Sequence, residues 1–166
     1  MSRTYYDPAT YRACDSIGYM VRRLYASLAS RVEPILAHHE LTLTQWIVLI
    51  YLRDGMARTA SDIAREFQHD SGALTRVVDQ LERRRLLGRR RSARDRRTVE
   101  LGLTASGRKL ITVLLPGVVA ELNRALEPLS HAEAEQFHAM LHRLLEPPPG
   151  AEPRAPAGAR PRAKLR

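Results

Sequence analysis

The 166 residues carry a net charge of +9, with 44% apolar and 5% aromatic side chains. That length supports one ordinary domain, or a smaller one with an oligomerisation extension, and the basic balance favours nucleic acid over an acidic small molecule as partner. A single cysteine, Cys14, excludes an internal disulfide framework and a thiolate zinc site; with no long apolar run and no signal-peptide h-region, the expected setting is a reduced cytoplasm in a bacterial cell, away from any membrane.

Asp7-Pro8 reads as an N-cap followed by proline at the first helical position. Apolar residues then recur at Cys14, Ile17, Val21, Leu24, Leu28, Val32, Ile35 and Leu36, which predicts one long amphipathic helix bent or ended by Pro34 near His38. Thr42 and Gln45 form a capping box that opens a second helix through Trp46, Val48, Leu49 and Leu52, stopping at Asp54-Gly55. Thr59 caps a short third helix that buries Ile63, Ala64 and Phe67. Gln68-His69 makes a turn, and Asp70 caps a fourth helix with Leu74, Val77, Val78 and Leu81 inward and Gly88 at its end. Val99, Leu101 and Leu103 alternate with Thr98, Glu100 and Gly102, the period of a half-buried strand. Its partner is the run Arg89–Ser92, giving a hairpin tipped by Ala93, Arg94 and Asp95. Thr104 caps a long helix with Leu110, Ile111, Leu114, Leu115, Val118, Leu122 and Leu126 on one side and a kink expected at Pro116. Ser130 and Glu133 form a second capping box ahead of Phe137, Leu141, Leu144 and Leu145. Beyond Glu146, prolines among Ala and Arg predict a disordered basic tail.

Helix, turn, helix and hairpin in that order are the layout of a winged helix-turn-helix. The fold class expected is mainly α with a small β-hairpin wing, flanked by long dimerisation helices. Residues 1–40 form an N-terminal dimerisation region, 41–104 the DNA-binding domain, 105–146 the C-terminal dimerisation helices and 147–166 the tail. From Arg83 to Arg97 nine arginines stand against one acid, Asp95. Neutralised phosphates release condensed counterions, so the partner that explains such a stripe is double-stranded DNA. The flanking apolar stripes are too long for a three-helix domain to cover, which predicts a two-fold homodimer. Its two recognition helices would reach successive major grooves of a pseudo-palindromic operator, about 34–36 Å apart.

With its apolar face inward, the fourth helix leaves Ser71, Gly72, Thr75, Arg76, Asp79, Gln80 and Arg83 outside. Gly72 permits close backbone approach, and Ser71 and Thr75 can donate to phosphate or base edges. Arg76 and Gln80 have the forked geometry to read guanine and adenine respectively. Arg83 and Arg90 are expected on phosphates, as are Thr59 and Ser61 at the start of the third helix, where capping is an equal alternative. No nucleophile motif, glycine-rich phosphate loop or His-Glu-x-x-His is present, so no enzyme, cofactor or metal is expected.

The run Asp70-Ser71-Gly72-Ala73-Leu74-Thr75-Arg76 with Asp79-Gln80-Leu81-Glu82 resembles the recognition helix of the multiple-antibiotic-resistance (MarR) regulator family. Arg94-Asp95-Arg96-Arg97 leading to Leu103-Thr104-Ala105-Ser106-Gly107 resembles that family's wing and following helix, and Leu43-Thr44-Gln45-Trp46 its second helix. The resemblance implies a homodimeric transcription factor, usually a repressor released by a small effector or by oxidation. It implies that Arg94 enters a minor groove and that Arg96 and Arg97 bond phosphate or Asp95. One departure is Ser92, where the family wing often carries an acid, which leaves the bracing of the wing to Asp95 and Arg97. An effector site is implied between the dimerising helices and the DNA-reading unit; Arg22, Arg23, Tyr25 and Trp46 are candidates for an aromatic wall with a cation, against plain core and solvated roles. Cys14, one turn before the position of the family's peroxide-sensing cysteine, reads as a packed thiol. His131, His138 and His142 share one side of the last helix, as surface or interface residues rather than zinc ligands. The alternatives kept open are a low-specificity architectural DNA-binding protein and a redox- or zinc-responsive regulator of the same fold.

Overall fold

In the computed structural model, residues 4–67, 71–92, 95 and 97–146 are described, with Ser71 and Gly72 as backbone only. A short turn of 3-10 helix at Ala13–Asp15 precedes α1 (Ile17–Ala37), α2 (Leu43–Arg53), α3 (Ala60–Phe67), α4 (Ser71–Arg83), β1 (Leu87–Arg91), β2 (Val99–Leu103), α5 (Ala105–Leu126) and α6 (His131–Leu145). The mainly α fold with one antiparallel hairpin is the expected class. The turn at Gln68-His69, the cap at Asp70, the wing-tip residues Ala93, Arg94 and Arg96, and the basic tail lie outside the described residues.

The first helix starts later than Pro8. Asp7 closes only a single turn, its carboxylate accepting the Ala9 N–H at 2.9 Å and its carbonyl the Thr10 N–H at 3.1 Å. The nearby aromatics Tyr5, Tyr6 and Tyr11 are exposed, and a helical turn with no face to bury does not propagate. Ser16 is the working cap: its hydroxyl oxygen accepts from Tyr19 N–H at 3.2 Å, while the Tyr6 hydroxyl accepts from Ile17 N–H at 2.8 Å. Cys14 therefore precedes α1 and is exposed rather than packed.

Three helices end alike. At the ends of α1, α2 and α4 the backbone turns left-handed at Glu40 (φ 54°), Gly55 (φ 71°) and Arg85 (φ 56°). The next N–H then reaches back to a last-turn carbonyl: Leu41 to Leu36 at 3.0 Å, Met56 to Tyr51 at 3.0 Å and Leu86 to Leu81 at 3.0 Å. So α4 stops at Arg83, not at Gly88. That glycine sits within β1 opposite Gly102, in a register running from Leu87↔Leu103 to Arg91↔Val99.

The core lies where α1, α2, α3, α4, α5 and the base of the hairpin meet. Leu36, Val48, Leu49, Ile63, Val78, Leu81 and Leu87 are fully buried there, each worth about 1.5–3 kcal/mol relative to exposure. The hairpin is joined to the start of α3 by Leu101 N–H donating to the Arg58 carbonyl at 2.7 Å. The ends of the molecule differ. The N-terminal half of α1 exposes Ile17, Met20, Val21 and Leu24, the C-terminal half of α5 exposes Val119, Leu122 and Leu126, and α6 buries no residue. No helix among the described residues is long and apolar enough to cross a membrane.

Candidate nucleic-acid interface

Helix α4 turns Leu74, Val78 and Leu81 into the core and half-buries Val77, which leaves Thr75, Arg76, Gln80 and Arg83 exposed on the opposite side. Arg76 and Arg83 make no hydrogen bond or ion pair among the described residues. Gln80 is exposed yet held: Gln45 Nε2 donates to its Oε1 at 2.9 Å. Gln45 itself is 6% exposed and completes the Thr42 capping box, accepting the Thr42 N–H at 3.0 Å while the Thr42 hydroxyl accepts the Gln45 N–H at 3.2 Å. The sequence shows the capping box but not its extension to α4, because residues 45 and 80 are joined only by the fold.

The arginine stripe is less bare than its local sequence suggests. Arg89 is clasped by Asp79 at 2.5 Å and Glu82 at 2.7 Å from α4, and the Asp79 hydrogen bond raises the guanidinium's already high pKa. Arg90 pairs with Glu100 across the hairpin at 2.9 Å. Arg84 turns back to cap α1, donating to the His39 carbonyl at 2.9 Å and to the Glu40 carbonyl. Arg85, Arg91 and Arg97 are exposed. The acids that answer the stripe lie just outside it, at i,i+3 spacing on α4 and on β2; that spacing was the signal available in the sequence.

Ser92, where the family wing often carries an acid, bonds an acid instead, Glu100 on the facing strand. Ser92 is 6% exposed, and its hydroxyl, with Arg90 and the nearby Arg58, holds the Glu100 carboxylate below the usual range. At the turn, Asp95 accepts the backbone N–H of Arg97 at 3.0 Å and the Thr98 hydroxyl at 3.1 Å. Asp95 thus braces the turn through backbone and hydroxyl, rather than by an ion pair with Arg97. Thr59 acts as the cap of α3: its hydroxyl accepts Asp62 N–H at 3.1 Å, and Asp62 accepts Thr59 N–H at 2.9 Å and Arg58 N–H at 3.1 Å. Those bonds, Arg58's first, lower the Asp62 pKa. Ser61 stands exposed beside this cap.

On the other side of the core, Tyr25 and Trp46 meet on the wall of an apolar cavity of about 210 Å³, with Leu28, Val32, Val118 and Leu122. Arg22 and Arg23 are outside that lining; their guanidinium carbons lie 5.5 and 5.9 Å from the Tyr19 ring centroid. His138 and His142 face each other through Nε2 at 3.2 Å, and His131 lies 3.3 Å from Glu135. Among the described residues no group of three or more His, Cys, Asp or Glu is placed to hold a metal ion.

A model of the MarR family matches residues 39–98, from the end of α1 to the wing. The HTH-type transcriptional regulator MhqR of Bacillus subtilis is 30% identical over 125 residues, covering 75% of this chain and 86% of that protein. Among solved structures, Bordetella bronchiseptica BpsR, whose DNA binding is regulated by 6-hydroxynicotinic acid, superposes with a TM-score of 0.72 at 25% identity, over 83% of this chain and 99% of that one. The Mycobacterium tuberculosis MarR-family protein Rv2887, solved with p-aminosalicylic acid, gives 0.65 at 27% identity over 78% and 98%. With a relative 30% identical over most of both chains, the chain belongs to the MarR family, and it is a transcription regulator with a DNA-binding winged helix.

Proposed function

We propose that the protein is a homodimeric, sequence-specific repressor working in the cytoplasm, which a small aromatic effector releases from a pseudo-palindromic operator. The observation that carries the DNA half is the outer face of α4: Thr75, Arg76, Gln80 and Arg83 are exposed together, beside a hairpin rich in arginine. An α-helix fits the major groove, and the Arg76 fork, without a partner among the described residues, matches a guanine edge. To Thr59, Ser61, Ser71, Gly72, Arg83, Arg90, Arg94, Arg96 and Arg97 this reading assigns the phosphate, base-edge and minor-groove contacts that fix its register.

The homodimer rests on the apolar faces left open by a single chain. Tyr5, Ile17, Met20, Val21, Leu24 and Phe137 line a groove of about 480 Å³ between the start of the chain, α1 and α6, and a second copy of the same helices is its occupant. The effector half rests on the cavity bounded by Tyr25 and Trp46. Its apolar, aromatic lining suits a flat ring, and the compounds named with BpsR and Rv2887 are aromatic acids. Arg22 and Arg23, on Tyr19, supply no charge to that lining.

Titration of the duplex upstream of the protein's own gene, against random duplex and at several salt concentrations, tests this reading. A preference of about 10³-fold or more is expected, with log K falling linearly in log salt and release by an aromatic acid. Equal affinity for both duplexes would make the protein an architectural binder instead.

A further inference from the structure

The hydrogen-bond chain from Thr42 through Gln45 to Gln80 has a direction. A backbone N–H can only donate, so the atom of Gln45 that meets the Thr42 N–H at 3.0 Å has to be its oxygen. Turning that amide over would set two donors face to face at a buried residue, at the cost of an unsatisfied polar group. Gln45 therefore presents its NH₂ to α4, and the atom of Gln80 that meets it at 2.9 Å is fixed in turn as oxygen. The Gln80 NH₂ is the end left over; it has no partner among the described residues, on an exposed side chain of the helix face already assigned to DNA.

We propose that Gln45 is a specificity-determining positioning residue: through Gln80 it offers the major groove a donor only, selecting a base with an acceptor edge. This rests on the reading that α4 lies in that groove. Guanine (O6 and N7) and thymine (O4) present acceptors with no donor beside them on the same base, whereas adenine sets its N6 donor next to its N7 acceptor and so opposes a second donor. The bidentate adenine contact expected from glutamine alone needs its oxygen to accept from N6 as well, and here that oxygen is tied back to α2. The preference at this base pair is thus written in a capping box 35 residues earlier in the chain.

Selection of bound sequences from a randomised duplex library tests the idea, using the full chain as wild type, Gln45→Glu, Gln45→Leu and Gln80→Ala. Glutamate at the third helical position keeps the capping box but has no N–H to give. Gln80 must then turn its NH₂ inward to meet it and show its oxygen to the groove. The wild type should favour guanine or thymine by about tenfold at one position in each half-site, the effect of a single mismatched contact. Gln45→Glu should move that preference to adenine or cytosine, whose exocyclic amines donate, and Gln45→Leu should flatten it. Thermal melts accompany each variant, and the leucine variant carries the test should the glutamate variant not fold. If Gln80→Ala flattens one position while neither change at Gln45 alters it, the positioning role is overturned and DNA reading by α4 stands. If Gln80→Ala alters no position, it is the placement of this face in the groove that fails.

Discussion

Arg76 and Arg89 show why the arginines of this protein are not equivalent. Arg76 projects from α4 without an intrachain partner among the described residues, whereas Arg89 is shared by Asp79 and Glu82. A free planar fork can read a guanine edge; a clasped one mainly joins the hairpin to the helix. Arg76→Ala is accordingly expected to weaken operator binding by about 1–3 kcal/mol and to relax the preference at one position, as measured by competition between operator and random duplex. Equal losses on both would remove it from base reading. Asp62 gives a pH signature. Its carboxylate is held below the usual range by the Arg58 and Thr59 groups it accepts from, so its contribution to stability is complete above the unfolded value, near 4, and is lost as pH falls through the lowered folded value. Asp62→Asn should flatten that acid limb in thermal melts taken between about pH 2 and 6, and an unchanged limb would show that the cap of α3 carries no linkage. The identity of α4's outer residues was readable from periodicity alone. Their pairing was not: Gln45 and Gln80 are 35 residues apart and meet only through the fold.

Elements were legible where a side chain signs a boundary. The Thr42, Thr59, Thr104 and Ser130 caps each bond a backbone N–H near the start of a helix, at 3.2, 3.1, 3.0 and 3.3 Å. C-terminal ends were legible at Gly55 and, for α1, near His38. At Glu40 and Arg85 the same left-handed closure is made by residues that ordinarily avoid it, so the sequence offered Gly88 instead and lengthened α4. The seating of the hairpin depends on another glycine. Gly107 is buried at the start of α5, and a methyl group there would run into the Leu86 carbonyl oxygen. That oxygen also accepts the Thr104 N–H at 3.2 Å, which ties α5 to the segment between α4 and the hairpin. Gly107→Ala should cost about 1–3 kcal/mol, as overpacking does, read from urea denaturation. An unshifted midpoint would mean that α5 and the base of the hairpin are not this close.

For the molecule as a whole, a basic winged helix occupies the middle of the chain and apolar helices occupy its ends. The sequence announced those ends by stripes at helical spacing, and the single chain leaves them open: Leu144 and Leu145 are 67% and 80% exposed. Leu24→Asp, at the centre of the α1 groove, should halve the mass seen in sedimentation. It should also lower operator affinity by about a hundredfold or more, because the two half-sites would no longer be engaged together; an intact dimer would place the interface elsewhere. The joint arrangement of dimer, helix and hairpin is tested most directly by hydroxyl-radical footprinting of the full chain on the duplex upstream of its gene. Two protected patches related by a two-fold axis are expected, centred about 10 base pairs apart on one face of the duplex. A single patch, or uniform protection without regard to sequence, would contradict the account.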